Sequence, residues 1–183
     1  MKRKFPFLLT VLSILLLTAC ISTTNTTPTI SFPTQTPSDG TPPPASLEIN
    51  GTTQTAGIGT YCWSGPTASG EIVNACADMI GIPTEHDPLI SSSPVVGLLT
   101  LPLAEAPSQL SLSAFEVSSA HELPETARGY RWWSYTEGYT SQLPLQTSQE
   151  INVELEPGLY VFYVFAVWEG KGDVSYGFLV EVN

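Results

Sequence analysis

The chain has 183 residues, 17 of them acidic and 6 basic, and its formal net charge is −11. Three of the basic residues are Lys2, Arg3 and Lys4, whereas every acidic residue follows Cys20. A chain that starts at Cys20 therefore has 3 basic and 17 acidic residues, which gives a formal charge of −14. Binding to nucleic acid needs clustered lysine and arginine, so we expect no nucleic acid partner. This charge favours solubility and repulsion from anionic lipid headgroups.

The first twenty residues have the order of a secretory signal. Positive charges at the start are followed by Leu8–Leu17, which is apolar except for Thr10 and Ser13, and then by small residues before Cys20. A charged start, a short apolar segment and a small-residue cleavage site are typical of a signal peptide. The apolar run is shorter than the ~20 residues that cross a bilayer.

The tetrapeptide Leu17-Thr18-Ala19-Cys20 resembles the lipobox of bacterial lipoproteins. The resemblance implies that residues 1–19 are a cleaved signal peptide, that the thiol of Cys20 carries lipid, and that the chain is anchored on the extracytoplasmic face of the cell membrane. A diacylglyceryl group (the palmitate-type anchor) supplies the two chains that stable anchoring requires. A plain secretory signal and an uncleaved anchor are the alternatives.

Two further cysteines remain if Cys20 is lipidated. Cys62 and Cys76 are then an even number in an oxidising compartment, which predicts a disulfide between them. The bridge would close a loop of about 15 residues, worth about 3 kcal/mol in the chain-entropy model. A pair of free thiols is the alternative. The chain has no C-x-x-C motif to indicate zinc or thioredoxin-like chemistry.

Residues 20–45 form the second segment. After Cys20 they are rich in threonine, serine and proline and almost free of charge. Such a segment cannot bury enough apolar surface to offset the entropy of ordering it. We therefore expect a disordered tether, partly in the polyproline II conformation, followed by a folded domain over residues 46–183.

The sequence of the domain predicts short strands separated by turns. Asn50-Gly51 predicts a hairpin. The five prolines of Ile80–Pro107 leave no room for a long helix, although Val95–Leu103 is apolar enough for a short strand. The polar segment His121–Gly129 is the one place where a short helix is expected.

The C-terminal part carries the strongest strand patterns. Tyr130–Tyr135 is an aromatic strand whose alternation places Tyr130 and Trp132 on one face and Arg131 and Trp133 on the other. Leu159–Trp168 is apolar throughout, which predicts a strand buried on both faces, and Val174–Val182 follows as its hairpin partner. Frequent turns and no amphipathic helix indicate an all-β fold, an antiparallel β-sandwich.

Two weaker resemblances involve this domain. The closing hairpin is similar to the last strands of immunoglobulin-like and fibronectin-like modules, which implies that kind of sandwich. The segment Gly59–Trp63, followed by Cys76-Ala77-Asp78, resembles small bacterial lipoproteins of unassigned function. That second likeness implies a location and a fold style, and no activity.

Candidate ligand-binding residues lie on the aromatic strand. If Trp132 faces inward, then Trp133, Tyr135 and Tyr139 would form an exposed aromatic platform with Arg131 as a polar partner. Aromatic faces on a β-sandwich suit sugar rings or protein partners. Packing of the same rings into the core or the sandwich edge is the alternative.

Enzymatic chemistry has weaker support. Glu85-His86-Asp87 and His121-Glu122 would have to meet in the fold to bind a metal, and Glu137 is the nearest candidate for an acid–base carboxylate. No nucleophile elbow, phosphate-binding loop or dinucleotide fingerprint is present, and we expect no cofactor and no catalytic residue.

The sequence therefore favours a lipid-anchored extracytoplasmic domain with a binding or structural display role. Its expected partners are the membrane, through the anchor, and an envelope protein or glycan. A carbohydrate-binding module that uses the aromatic platform is one alternative, and a small hydrolase or metalloenzyme is another.

Overall fold

The computed structural model describes residues 40–67, 69–117, 121–123, 130–134 and 138–183, with only the backbone for 121–123. These residues form strands and no α-helix, which confirms the predicted all-β class. The strands are β1 Ser46–Ile49, β2 Thr52–Thr55, β3 Gly57–Pro66, β4 Ile72–Ala77, β5 Ile82–Thr84, β6 Leu89–Ser91, β7 Val95–Thr100, β8 Gln109–Glu116, β9 His121–Leu123, β10 Arg131–Ser134, β11 Tyr139–Gln142, β12 Ser148–Val153, β13 Gly158–Trp168 and β14 Gly172–Val182.

The first sheet has four antiparallel strands in the order β12-β7-β1-β2. Its β1–β2 hairpin closes at Asn50-Gly51, where Ile49 pairs with Thr52 and both turn residues have positive φ values of 52° and 77°. Positive φ at both positions defines the tight turn that matches strand twist, and Asn-Gly is its preferred sequence. The predicted hairpin is therefore confirmed.

The second sheet is the largest and holds the long C-terminal hairpin at its centre. Its order is β11-β8-β13-β14-β3-β4, and β6 pairs parallel to β14. Along β13 one face is fully buried, from Tyr160 to Trp168, whereas Phe165 on the other face is half-buried. The partner strand is the one buried on both faces, over Val174–Val180. The double burial predicted for Leu159–Trp168 is therefore wrong for most of its second face, and it is β14 that is buried on both faces.

The main core lies between these two sheets. Its members are the inward side chains of β1, β7 and β12 on one side and of β8, β13 and β14 on the other. Trp63 of β3 and Trp168 of β13 meet there edge to face, with ring centroids 5.7 Å apart. Two antiparallel sheets facing one core confirm the predicted sandwich.

A small third sheet, β5-β10-β9, covers part of the opposite face of the large sheet. A second apolar cluster fills that interface, with Ile82 and Trp133 from the small sheet packed against Val161 and Leu179 of the large one. The molecule therefore has a third layer that strand patterns alone did not indicate.

Several local expectations change. His121–Leu123 is a strand paired with β10, so the short helix expected from residue 121 is wrong there. Residues just before the predicted domain start at 46 also contact the folded part, because Ala45 is buried and the carbonyl of Pro43 accepts a 2.9 Å hydrogen bond from the Tyr176 hydroxyl. The described residues all belong to one compact unit, and no helix among them has the length and apolar character of a membrane span.

Candidate functional site

The disulfide predicted from the cysteine count is present between Cys62 and Cys76. These residues lie directly opposite each other on β3 and β4, with Cα atoms 4.1 Å apart. Both cysteines are exposed, whereas the neighbouring Trp63 points the other way into the main core. The bridge therefore ties an edge strand to the sheet on the solvent side.

The aromatic strand does not present the expected platform. Trp133 is only 2% exposed, because its side chain fills the interface between the small and large sheets. Its indole N–H donates a 2.9 Å hydrogen bond to the hydroxyl of Thr84 on β5, and the Arg131 guanidinium lies 4.5 Å from its ring centroid. A ring enclosed in this way has no free face for a ligand, so the exposed platform is wrong at Trp133.

The other platform residues are separated from that ring. Tyr139 is 56% exposed on β11, at the edge of the large sheet. Tyr135 lies outside the described residues, as does Glu137. Of the four predicted ligand-binding residues, the structure thus joins Arg131 to Trp133 in a buried contact and leaves Tyr139 facing solvent.

The opposite face of β10 borders a small cavity. Its volume is about 250 Å³, and we call it the aromatic pocket. Its lining residues are Thr41, Ile58, Tyr61, Met79, Tyr130 and Trp132. They come from the segment before β1, from β3, from the loop after β4 and from β10 with the residue before it. Within the described part of the chain, four separate stretches therefore build this site.

A bulge in β3 positions two of the lining residues, Ile58 and Tyr61. Ile58 pairs with Tyr176 and Tyr61 pairs with Val174, so the two residues between them face Ser175 alone. One extra residue restores Ile58 and Tyr61 to the same side of the strand. The Ser175 hydroxyl donates a 2.9 Å hydrogen bond to the carbonyl of Thr60 and holds the bulge in place.

Thr60 also positions a third lining residue, Met79. Its hydroxyl accepts a 3.1 Å hydrogen bond from the backbone N–H of Met79. The loop after β4 is thereby held beside the bulge, where Met79 lines the pocket. The bulge and its hydrogen bonds shape the cavity before any ligand is present.

Trp132 lines the pocket but is itself almost fully buried. The residue is 6% exposed, and its indole Nε1 is buried with no hydrogen-bond partner among the described residues. Buried N–H groups in folded proteins are almost always paired, because an unpaired one costs about 1–3 kcal/mol. Sequence alternation had placed Tyr130 and Trp132 on one face but gave no sign of this cavity.

A second, more open cavity lies beside the start of β13. Its volume is about 660 Å³, and its lining residues are Ser93, Pro94, Glu154, Leu155, Glu156 and Tyr160. The Tyr160 hydroxyl donates a 3.0 Å hydrogen bond to the carbonyl of Glu156. Burial, and then the nearby Glu116 and Glu156 carboxylates, raise the pKa of Tyr160, so the phenol keeps its proton.

The histidine segments are not neighbours in the backbone. Thr84, two residues before His86, pairs with Arg131 at one end of β10, whereas His121 pairs with Ser134 at the other end and on the other side. The side chains of His121 and Glu122 lie outside the described residues. Among the side chains that are described, no group of three or more histidine, cysteine or acidic residues forms a metal cluster.

The fold and site define an all-β, disulfide-linked sandwich with a preformed aromatic pocket. No protein-family model, curated protein or solved structure matches the chain.

Proposed function

We propose that this chain is an exported binding domain, held on the extracytoplasmic face of the cell membrane by lipid on Cys20. Three features support the proposal together. They are the lipobox-like Leu17-Thr18-Ala19-Cys20, the Cys62–Cys76 bridge and the aromatic pocket. The first implies an anchor, the second an oxidising compartment and the third a ligand.

The exposed Cys62–Cys76 bridge is the observation that carries export. A disulfide that solvent can reach is readily reduced in a cytosol rich in small thiols, and it persists outside the cell or in the periplasm. Here the bridge also helps to hold β4 on the sheet, because no residue of β4 is fully buried. A strand with so little core contact relies on its pairing with β3 and on this covalent link.

The start of the folded region is compatible with a tethered domain. Gly40 lies against Val73 and Ala75 of β4, and Ala45 accepts a 2.9 Å hydrogen bond from the N–H of Ala56. Any tether therefore ends at residue 40 or before it. The shorter stretch 20–39 would still reach roughly 60 Å if extended at ~3.1 Å per residue.

The test is substitution of the lipidated residue in a bacterial host that processes lipoproteins. We expect Cys20→Ser to abolish incorporation of radiolabelled palmitate and to shift the protein out of the membrane fraction. Intact mass should show that the native chain starts at Cys20 with added lipid. A double Cys62→Ser, Cys76→Ser variant is the control, because it keeps the anchor and loses the bridge.

Two results would overturn the proposal. One is a native chain whose mass includes residues 1–19 without lipid. The other is a Cys20→Ser variant with unchanged mass and unchanged membrane association. Alkylation of cells before lysis gives an independent check, since Cys62 and Cys76 should resist labelling until a reductant is added.

A further inference from the structure

Strand β4 (Ile72–Ala77) forms one edge of the large sheet. Among the described residues it pairs only with β3. A Cβ at Gly40 would meet the side-chain carbons of Ala75 and Val73 first, so the contact with Gly40 lies on a face of the strand. Within the described part of the chain, β4 therefore has one backbone edge without a neighbouring strand.

Two observations show which backbone groups of β4 point toward that free edge. The N–H of Ser64 donates a 2.6 Å hydrogen bond to the carbonyl of Lys171, on the β14 side, so Ser64 points away from its β4 partner Asn74. Partners that point apart in this way lie about 4.5 Å apart at Cα, against about 5.5 Å for hydrogen-bonded partners. Cys62 and Cys76 are the next pair of this kind, with Cα atoms 4.1 Å apart. The N–H and C=O groups of Asn74 and Cys76 therefore point away from β3, toward the free edge.

The sequence of β4 does not protect this edge. Natural proteins block free edges with lysine, proline, a bulge or a very short strand, because an open edge pairs readily with another chain. β4 has six residues, none of them charged and none proline, and its pairing with β3 has no bulge. Its Ile72 side chain is 64% exposed and offers apolar contact beside the edge. Addition of a strand to an edge of this kind is a common mode of peptide recognition.

The Cys62–Cys76 bridge keeps the free edge extended. No residue of β4 is fully buried, so packing alone would let the strand open locally. The bridge ties β4 covalently to β3 and fixes the register of the pair. A strand that is ordered in advance loses less conformational freedom when a partner binds. The bridge therefore makes β4 a preformed template for pairing.

The charges beside β4 indicate the charge of the partner. Glu71 precedes the strand, Asp78 follows it, and both are exposed. Antiparallel pairing of two copies would bring Glu71 of one copy toward Asp78 of the other, and the net charge of each copy is strongly negative. A second copy is therefore disfavoured. A segment with lysine or arginine at its ends is instead attracted by both carboxylates.

We propose that the free edge of β4 binds an extended segment of another protein as an added strand, and that this segment has alternating apolar residues and basic ends. Its backbone exchanges hydrogen bonds with Asn74 and Cys76, and its apolar side chains cover Ile72. This inference rests on the proposed binding role and names the partner class for it. It requires neither lipid on Cys20 nor the aromatic pocket, so it and the anchoring proposal can fail separately.

The test uses the full chain in an uncharged detergent and a synthetic peptide that alternates valine and threonine between terminal lysines. We expect a dissociation constant below about 1 mM by calorimetry. Amide exchange measured by NMR reports on the edge itself. In the free protein the amides of Asn74 and Cys76 should exchange fast, and those of Val73 and Ala75, which face β3, should exchange slowly. Saturating peptide should slow exchange at Asn74 and Cys76 at least tenfold.

The peptide control is the same sequence with every valine and threonine N-methylated. It keeps the side chains and the charges and loses the backbone donors that strand pairing needs. We expect it not to bind. This comparison uses the native protein, so it tests the inference even if a variant fails to fold.

The decisive variant is Asn74→Pro, which removes an N–H that faces the free edge and leaves the pairing with β3 in place, as proline does on edge strands. We expect it to weaken peptide binding at least tenfold, whereas Asn74→Ala, which keeps that N–H, should bind as the native chain does. Glu71→Lys should weaken binding about threefold, the scale of one exposed ion pair. Its matched control is Glu150→Lys, an equal change of charge at an exposed position of β12, which should leave the affinity unchanged.

Three binding results would overturn the inference. They are no binding of the peptide, equal affinity for its N-methylated form, and equal affinity in the native and Asn74→Pro proteins. Tighter binding by the Cys62→Ser, Cys76→Ser double variant would also overturn it, because the peptide would then replace β4 instead of pairing with it.

Slow exchange of Asn74 and Cys76 in the free protein would overturn the inference as well, because the edge would already be occupied. Protection that rises with protein concentration would identify a second copy as the occupant, and constant protection would identify another segment of the same chain. A protein that binds the peptide but lacks lipid would overturn only the anchoring proposal. A lipidated protein without affinity for the peptide would overturn only this one.

Discussion

Replacing Cys62 and Cys76 with serine opens the covalent link between β3 and β4. The two residues are 14 positions apart, so the bridge closes a loop of about 15 residues. Constraining such a loop in the unfolded chain stabilises the native state by about 3 kcal/mol. The cysteines are direct partners in the β3–β4 pairing, so the bridge joins two strands that already lie side by side.

The position of β4 determines what is lost first. Its side chains alternate between exposed and half-buried, and Val73 and Ala75 are covered on one side by Gly40. An edge strand with so little buried apolar surface gains little from the hydrophobic effect. We therefore expect β4 to detach before the central hairpin unfolds, and its amide protons to lose protection first.

The assay is unfolding of the full chain in urea, followed by tryptophan fluorescence, with and without a thiol reductant. We expect the double serine variant and the reduced native protein to lose about 3 kcal/mol each, equivalent to roughly 10 °C in Tm for a domain of this size. The variant should not respond to reductant. Stability within about 1 kcal/mol of the oxidised protein would refute this account of how β4 is held.

Two buried polar groups give the remaining predictions. Gln54→Ala should cost about 3 kcal/mol in urea unfolding, because the Gln54 side chain accepts a 2.9 Å hydrogen bond from the Leu179 N–H, which would be left buried and unpaired. The control is Gln149→Leu, which removes a buried amide without partners in the described structure and should be neutral or stabilising, so equal losses in both variants would contradict the account. Burial raises the pKa of Tyr176 above the usual 10.0, so stability should be constant up to about pH 10 and fall above it, as only the unfolded state ionises. Tyr176→Phe should cost about 1 kcal/mol at pH 7 through its lost bond to Pro43 and flatten that alkaline fall, and an equally steep fall in the variant would count against burial as the cause.

Much of the fold was predictable because its signals are local. Asn50-Gly51 specifies a tight turn whatever surrounds it, and the structure has that turn. The apolar run Leu159–Trp168 and the alternation after it specify a long buried hairpin, which is the centre of the large sheet. The Cys62–Cys76 pairing followed from counting cysteines. Each of these signals lies within a few residues or in a single count, so no long-range geometry was needed.

The third layer was not predictable because it depends on the close approach of distant segments. Gly57 on β3 and Gly177 on β14 are paired, and the carbonyl of Pro83 on β5 lies over both of them. A Cβ at either glycine would clash with that carbonyl. In the sequence these glycines look like ordinary weak points of a strand. Their role is visible only once β5 rests on them.

That third layer decides what covers each of the two tryptophans of the aromatic strand. Alternation correctly placed Trp132 and Trp133 on opposite faces, but it could not say what covers each face. The small sheet, seated on Gly57 and Gly177, encloses Trp133 and pairs its N–H with Thr84. Trp132 instead lines the aromatic pocket, together with Tyr61. Tyr61 lies about seventy residues earlier in the chain, and the bulge in β3 places it on the pocket side of its strand.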